Sequence, residues 1–129
     1  MTKEDKELLL KDLSARLYYR PTVLLSGREH CILCGIDGDD VYLNIDSDSF
    51  RIESIKPYLR PMSSMTEEEK EEYKTISIWG EVRESKSHYT DICPTIEGYD
   101  WLNAHHFDYR GLIEKGLALQ APEGMYNIK

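Results

Sequence analysis

An α+β fold is what this sequence predicts, with one N-terminal helix, a curled antiparallel meander of four strands, and two or three C-terminal helices packed on the sheet. Three observations carry that expectation. Leucines recur at helical spacing near the start of the chain, the stretch from residue 22 to 55 switches to a period of two between polar turns, and the helices flank the strands instead of alternating with them. A length of 129 residues, with 40% hydrophobic and 31% charged, suits one globular domain over residues 1–129, with no internal repeat.

Thr2 is placed to cap a first helix over residues 3–17, in which Leu9, Leu10, Leu13 and Leu17 form one stripe while Lys6, Lys11 and Asp12 fall elsewhere. Pro21 ends it, because the residue before a proline avoids helical backbone angles. The strands are VLL (23–25), EHCILCGI (29–36), VYLNI (41–45) and FRIESI (50–55). Between them stand turns of Gly, Asp and Ser, residues that tolerate or stabilise hairpin geometry.

Residues 56–62, KPYLRPM, carry two prolines and suit an extended connection or a sheet-edge segment. Thr66 and Glu69 form a capping box for a second helix over residues 67–78, with Tyr73, Ile76 and Trp79 inward. Residues 80–94 read as an exposed loop. Thr95 can cap a third helix through Trp101 and Leu102 to about His105, Asp108 a fourth over residues 109–115, and Gly116 provides the left-handed stop. LALQAP, residues 117–122, finishes as a short extended segment.

The formal net charge of −8 disfavours direct binding to nucleic-acid phosphate, which depends on Lys and Arg displacing counterions. The N-terminus lacks the apolar core of a secretory signal, and no apolar run approaches the roughly 18 residues of a membrane span. Three cysteines argue against a disulfide framework. A soluble protein of a reducing cytoplasm is the expectation, without membrane contact.

The densest chemistry lies in residues 101–126, WLNAHHFDYRGLIEKGLALQAPEGMY. His105, His106 and Asp108 are metal-ligand types, yet neighbouring histidines on a helix diverge by about 100° and cannot both face one ion. One packed His, one exposed His and a capping Asp108 is the plainer expectation. Cys31 and Cys34 have the C-x-x-C spacing of a zinc knuckle without a second pair, and on a strand they point to opposite faces. Two buried strand cysteines account for them better. The acidic turns at Asp37–Asp40 and Asp46–Asp48 match no calcium loop and are explained by turn formation. Cys93 with His105 or His106 and Asp108 lacks any nucleophile-elbow pattern. No catalytic residue, cofactor or metal is expected.

Two blocks, IKPYLRPMSSMTEEE (55–69) and WLNAHHFDYRGLIEKGLALQAPEGMY (101–126), together with the opening KEDKELLLKDLSARL, resemble a family of small uncharacterised proteins encoded by phages and mobile elements of anaerobic gut bacteria. The resemblance implies a phage or prophage accessory protein working in the cytoplasm of a bacterial host. It implies no activity, cofactor or catalytic residue.

Nine tyrosines and two tryptophans exceed what a core of this size usually takes, and Tyr, Trp and Arg are the residues of binding hot spots. Tyr58, Tyr89, Tyr99, Tyr109 and Tyr126 fall in segments expected to be partly exposed. The leading expectation is therefore a non-enzymatic protein-binding or adaptor domain, using Tyr58, Arg60, Trp101, His106, Tyr109 and Arg110, with a homodimer as a variant. Two other classes compete: an acidic DNA mimic that uses the glutamates of residues 67–72 to inhibit a host DNA-binding protein, and a small metal-dependent hydrolase built on His105, His106 and Asp108.

Overall fold

The computed structural model describes residues 1–25, 30–45, 49–76 and 96–126. It is α+β, with an N-terminal helix, a mixed sheet and further helices. Helix α1 spans Lys3–Arg16, and the Thr2 hydroxyl accepts a 3.0 Å bond from the Asp5 amide at its start. Leu9 and Leu13 are fully buried, as the leucine stripe requires. Asp12, expected on the outer side, is equally buried, and so is Arg16. Asp12 lies three residues after Leu9 and four before Arg16, so all three share one side of the helix. A 3₁₀ turn, Leu17–Tyr19, follows and ends at Arg20, whose φ of 48° is left-handed.

The meander forms as strands β1 (Thr22–Leu25), β2 (His30–Asp37), β3 (Asp40–Leu43) and β4 (Ser49–Arg51), each antiparallel to the one before. The fourth strand is shorter than FRIESI suggests, because Ile52–Ser54 closes a 3₁₀ turn in which the Ser54 hydroxyl donates to the Arg51 carbonyl. In β2 the register shifts between Leu33 and Gly35, which leaves Cys34 out of the ladder.

The proline-containing segment departs most from expectation. Residues Ile55–Pro61 are strand β5, an interior strand and no mere connection. It pairs antiparallel with β1 through Ile55, Lys56 and Pro57, then parallel with β6 (Phe107–Asp108) and β7 (Leu119–Gln120). The two prolines bracket the amides that matter: the Arg60 N–H donates to the His106 carbonyl at 2.7 Å, and the Leu59 carbonyl accepts from Ala121 at 2.8 Å. A missing N–H at Pro57 and Pro61 is tolerated where ladders change partners.

Helix α2 (Glu67–Ile76) opens with the predicted capping box, since the Glu69 amide donates to the Thr66 hydroxyl at 3.1 Å and the Thr66 amide to the Glu69 carboxylate at 2.9 Å. Helix α3 spans Ile96–Ala104. The expectations for residues 77–95, including Trp79, Tyr89, Cys93, the loop and the Thr95 cap, lie outside the described residues, as does the turn at 46–48. The fourth helix does not form. Gly111 and Gly116 both have φ of 76°, and a left-handed residue inside residues 109–115 breaks helical continuity; the segment instead makes turns.

Among the described residues two apolar clusters result. One joins Leu9 and Leu13 to the inner face of the sheet, including Val23, Leu33, Val41 and Leu59, with Leu112 and Leu117 closing its end. The other gathers Met65, Tyr73, Trp101, Leu102 and Phe107 where α2, α3 and β6 meet. No helix among the described residues is long and apolar enough to cross a membrane.

Candidate functional site

Helix α3 stops because His106 takes a left-handed φ of 62°, with its amide donating to the Asn103 carbonyl at 3.1 Å. The stop turns the chain into β6 and distributes residues 105–110 among three polar clusters.

The first cluster is centred on Asp12. Its carboxylate takes two hydrogen bonds from Arg16, at 2.7 and 3.1 Å, and the Arg16 Nη2 also donates to the Phe107 carbonyl at 2.6 Å. Arg110 approaches the same carboxylate from the outside, Nε to Oδ1 3.2 Å, as a charge contact whose N–H is not aimed at the oxygen. Both guanidiniums lie over the Tyr109 ring, Arg16 at 5.2 Å and Arg110 at 5.1 Å from its centre, and the Tyr109 hydroxyl donates to the Asn103 side chain at 2.9 Å.

In the second cluster Arg60 holds Glu69 through two 2.8 Å bonds in a fork, while its guanidinium stacks over Phe107 at 4.1 Å. Burial alone would raise the Glu69 pKa, but the bonds from Arg60 and Thr66 outweigh it and hold the carboxyl below its ordinary range. Trp101 stacks on His105 at 4.0 Å and donates its indole N–H to Glu72 at 2.8 Å. His105 Nδ1 donates to the Trp101 carbonyl at 2.9 Å, because a carbonyl can only accept.

The third cluster joins His106 and Tyr126, stacked with ring centres 3.7 Å apart. The register of β1 and β5 would next pair Thr22 with Tyr58, and there the Tyr126 hydroxyl enters the gap: it accepts from the Thr22 amide at 3.0 Å and donates to the Tyr58 carbonyl at 2.6 Å. The Tyr58 hydroxyl shares a 3.2 Å bond with His30. Removing the bridging hydroxyl, as in Tyr126→Phe, leaves a partly buried N–H and C=O unsatisfied, so we expect a loss of about 1–3 kcal/mol in urea unfolding. A change within error would show that water replaces the bridge.

These placements revise the sequence expectations. Tyr58, Trp101 and His106 are buried, with 9%, 7% and 9% exposure, so the partly exposed setting expected for Tyr58 does not hold. Both carboxylate oxygens of Asp108 accept amides, those of Leu112 and Ile113 at 2.9 Å; it caps a turn and not a helix beginning at Tyr109. His105 and His106 are both mostly enclosed, so neither is the exposed partner anticipated. Cys31 is buried and Cys34 exposed on the opposite face, which corrects the expectation of two buried thiols. Among the described residues no three His, Cys, Asp or Glu side chains gather as metal ligands. On α2, Glu69 turns inward, Glu72 serves Trp101, and Lys70 and Lys74 pair with Glu67 and Glu71.

What reaches the surface is Tyr109 with Arg110. The pair lines two adjoining depressions, one shared with Tyr99 and Asn103, the other with Met62 and Ile113. Tyr99 is 41% exposed and its ring lies 5.3 Å from that of Tyr109. The fold and this site define an α+β domain in which a mixed sheet carries a Tyr- and Arg-bearing flank. Comparison of the chain with protein-family models, curated proteins and solved structures finds no match.

Proposed function

We propose that this chain is a non-enzymatic protein-binding domain that docks its partner over Tyr99, Tyr109 and Arg110. One observation carries the reading: Arg110 and Tyr109 form a shared wall between two surface depressions and are held from beneath by Asp12, Arg16 and Asn103. Aromatic and Arg side chains fixed before binding lose little conformational entropy when a partner covers them, which makes them effective anchors. The resemblance of residues 55–69 and 101–126 to phage and mobile-element proteins supports a phage or prophage origin and a bacterial cytoplasmic setting.

The test is affinity capture from a bacterial host lysate, comparing the intact chain with Tyr99→Ala and Arg110→Ala. Both side chains reach solvent, so the variants should fold, as circular dichroism will check. A protein retained by the intact chain should fall at least about fivefold in yield on either variant, as expected when an anchor worth more than about 1 kcal/mol is truncated. Equal retention on all three would refute the docking surface.

A further inference from the structure

Asn103 is 4% exposed, and its Oδ1 accepts the Tyr109 hydroxyl at 2.9 Å, which fixes the orientation of the amide. Among the described residues its Nδ2 makes no hydrogen bond, and the side chain lines the depression that it shares with Tyr99, Tyr109 and Arg110. Arg110 brings further donors to the same place. Its Nε is buried without a hydrogen bond, its Nη groups make none among the described residues, and the guanidinium is steadied over the Tyr109 ring at 5.1 Å. A buried amide and a guanidinium thus meet in one depression, each with donors that an incoming acceptor can satisfy.

The charge there is unbalanced. At Asp12 two guanidiniums meet one carboxylate, and Arg16 makes both side-chain hydrogen bonds to it, so the charge of Arg110 is offset only in part. Asp108 does not complete the balance, since the Leu112 and Ile113 amides hold both of its oxygens. Asp100 and Glu114 are exposed, one in each depression, and neither forms an ion pair with Arg110.

We propose that this depression receives the carboxylate of an acidic side chain, Asp or Glu, of the partner protein, an inference that rests on the docking surface of Tyr99, Tyr109 and Arg110. A carboxylate only accepts, so it suits the two donors, and a guanidinium fork matches its geometry. One negative charge suits the one positive charge left over, which a more highly charged phosphate group would exceed. Tyr99, 41% exposed, covers the apolar stem of the incoming side chain. At physiological salt, screening confines repulsion from the net charge of −8 to about 8 Å.

The test is selection on the full chain from a random peptide library, N-acetylated and C-amidated so that only side chains carry carboxylates. Retained peptides should share one Asp or Glu, and changing it to Asn or Gln should weaken binding at least about tenfold, as should Arg110→Gln. Asn103→Asp keeps the acceptor for Tyr109 and puts an oxygen in place of Nδ2, so it should also weaken binding about tenfold, with unchanged circular dichroism. Should that variant unfold, Arg110→Gln decides alone, because its side chain reaches solvent. Peptides that share no acidic residue yet are lost on Tyr99→Ala overturn this inference and leave the docking surface standing. Peptides rich in Lys or Arg that are lost on Asp100→Asn overturn it as well. If no peptide is retained, or none depends on Tyr99, Asn103 or Arg110, both readings fall.

Discussion

Replacing Asp12 with alanine should cost about 3–5 kcal/mol of folding stability, the range for removing one partner of a buried ion pair. Arg16 has no exposed surface, and Asp12 supplies two of its three hydrogen bonds. Without the carboxylate, Arg16 would be left enclosed with only the Phe107 carbonyl, and Arg110 would lose its charge contact as well. A domain of this size has about 5–15 kcal/mol to lose, so the variant should sit close to unfolding at room temperature. Asp12→Asn keeps the shape and removes the charge. If charge compensation dominates, it should be nearly as damaging; if hydrogen bonding does, it should recover about half. Urea unfolding followed by tryptophan fluorescence measures both. A loss below about 1 kcal/mol for Asp12→Ala would show that water satisfies Arg16 in place of the carboxylate.

The same residue shows where sequence reasoning reached its limit. The leucine stripe of α1, the turn at Asp37–Asp40 and the Thr66–Glu69 capping box follow from local spacing, and each forms as expected. Asp12 and Arg16 do not follow, because a charged pair at i and i+4 normally marks a solvated face. The informative sign was that Asp12 shares the side of Leu9, which requires a buried partner if the helix packs there. Strand β5 was hidden by its prolines, whose missing amides are harmless only because the neighbouring strands change there, a property of the whole sheet. Gly111 carried a legible warning against the fourth helix, which Asp108 as an apparent N-cap obscured. The Tyr126 bridge joins positions 104 residues apart and has no local signature. Tyr109 and Arg110 were legible as hot-spot residue types, but Trp101 and His106 have the same chemistry and lie inside, since composition does not distinguish an anchor from a core aromatic.

Acid should destabilise this protein in two stages, and His106 sets the first. Burial, followed by the charges of Arg16, His105 and Arg60, pushes its pKa down to about 4 from an ordinary 6.5, and Tyr126 covers its ring. Between those two values the unfolded chain binds a proton that the native state refuses. Stability therefore falls as pH drops from 6.5 towards 4, by about 3 kcal/mol in total from this one residue, and the effect levels off below that window. Glu69 acts lower down: its folded pKa lies below 4.5, so its contribution is intact above the unfolded value and is lost as pH falls through the folded one. His106→Asn separates the stages. Asparagine tolerates the left-handed backbone and does not titrate, so the variant should lose stability at neutral pH through the missing ring stack, yet its stability should change much less between pH 6.5 and 4.5. Urea midpoints at pH 7, 5.5 and 4.5 for both chains give the two slopes. Parallel slopes would mean that His106 takes up its proton inside the fold, and that the stack on Tyr126 opens in acid without unfolding the sheet it holds together.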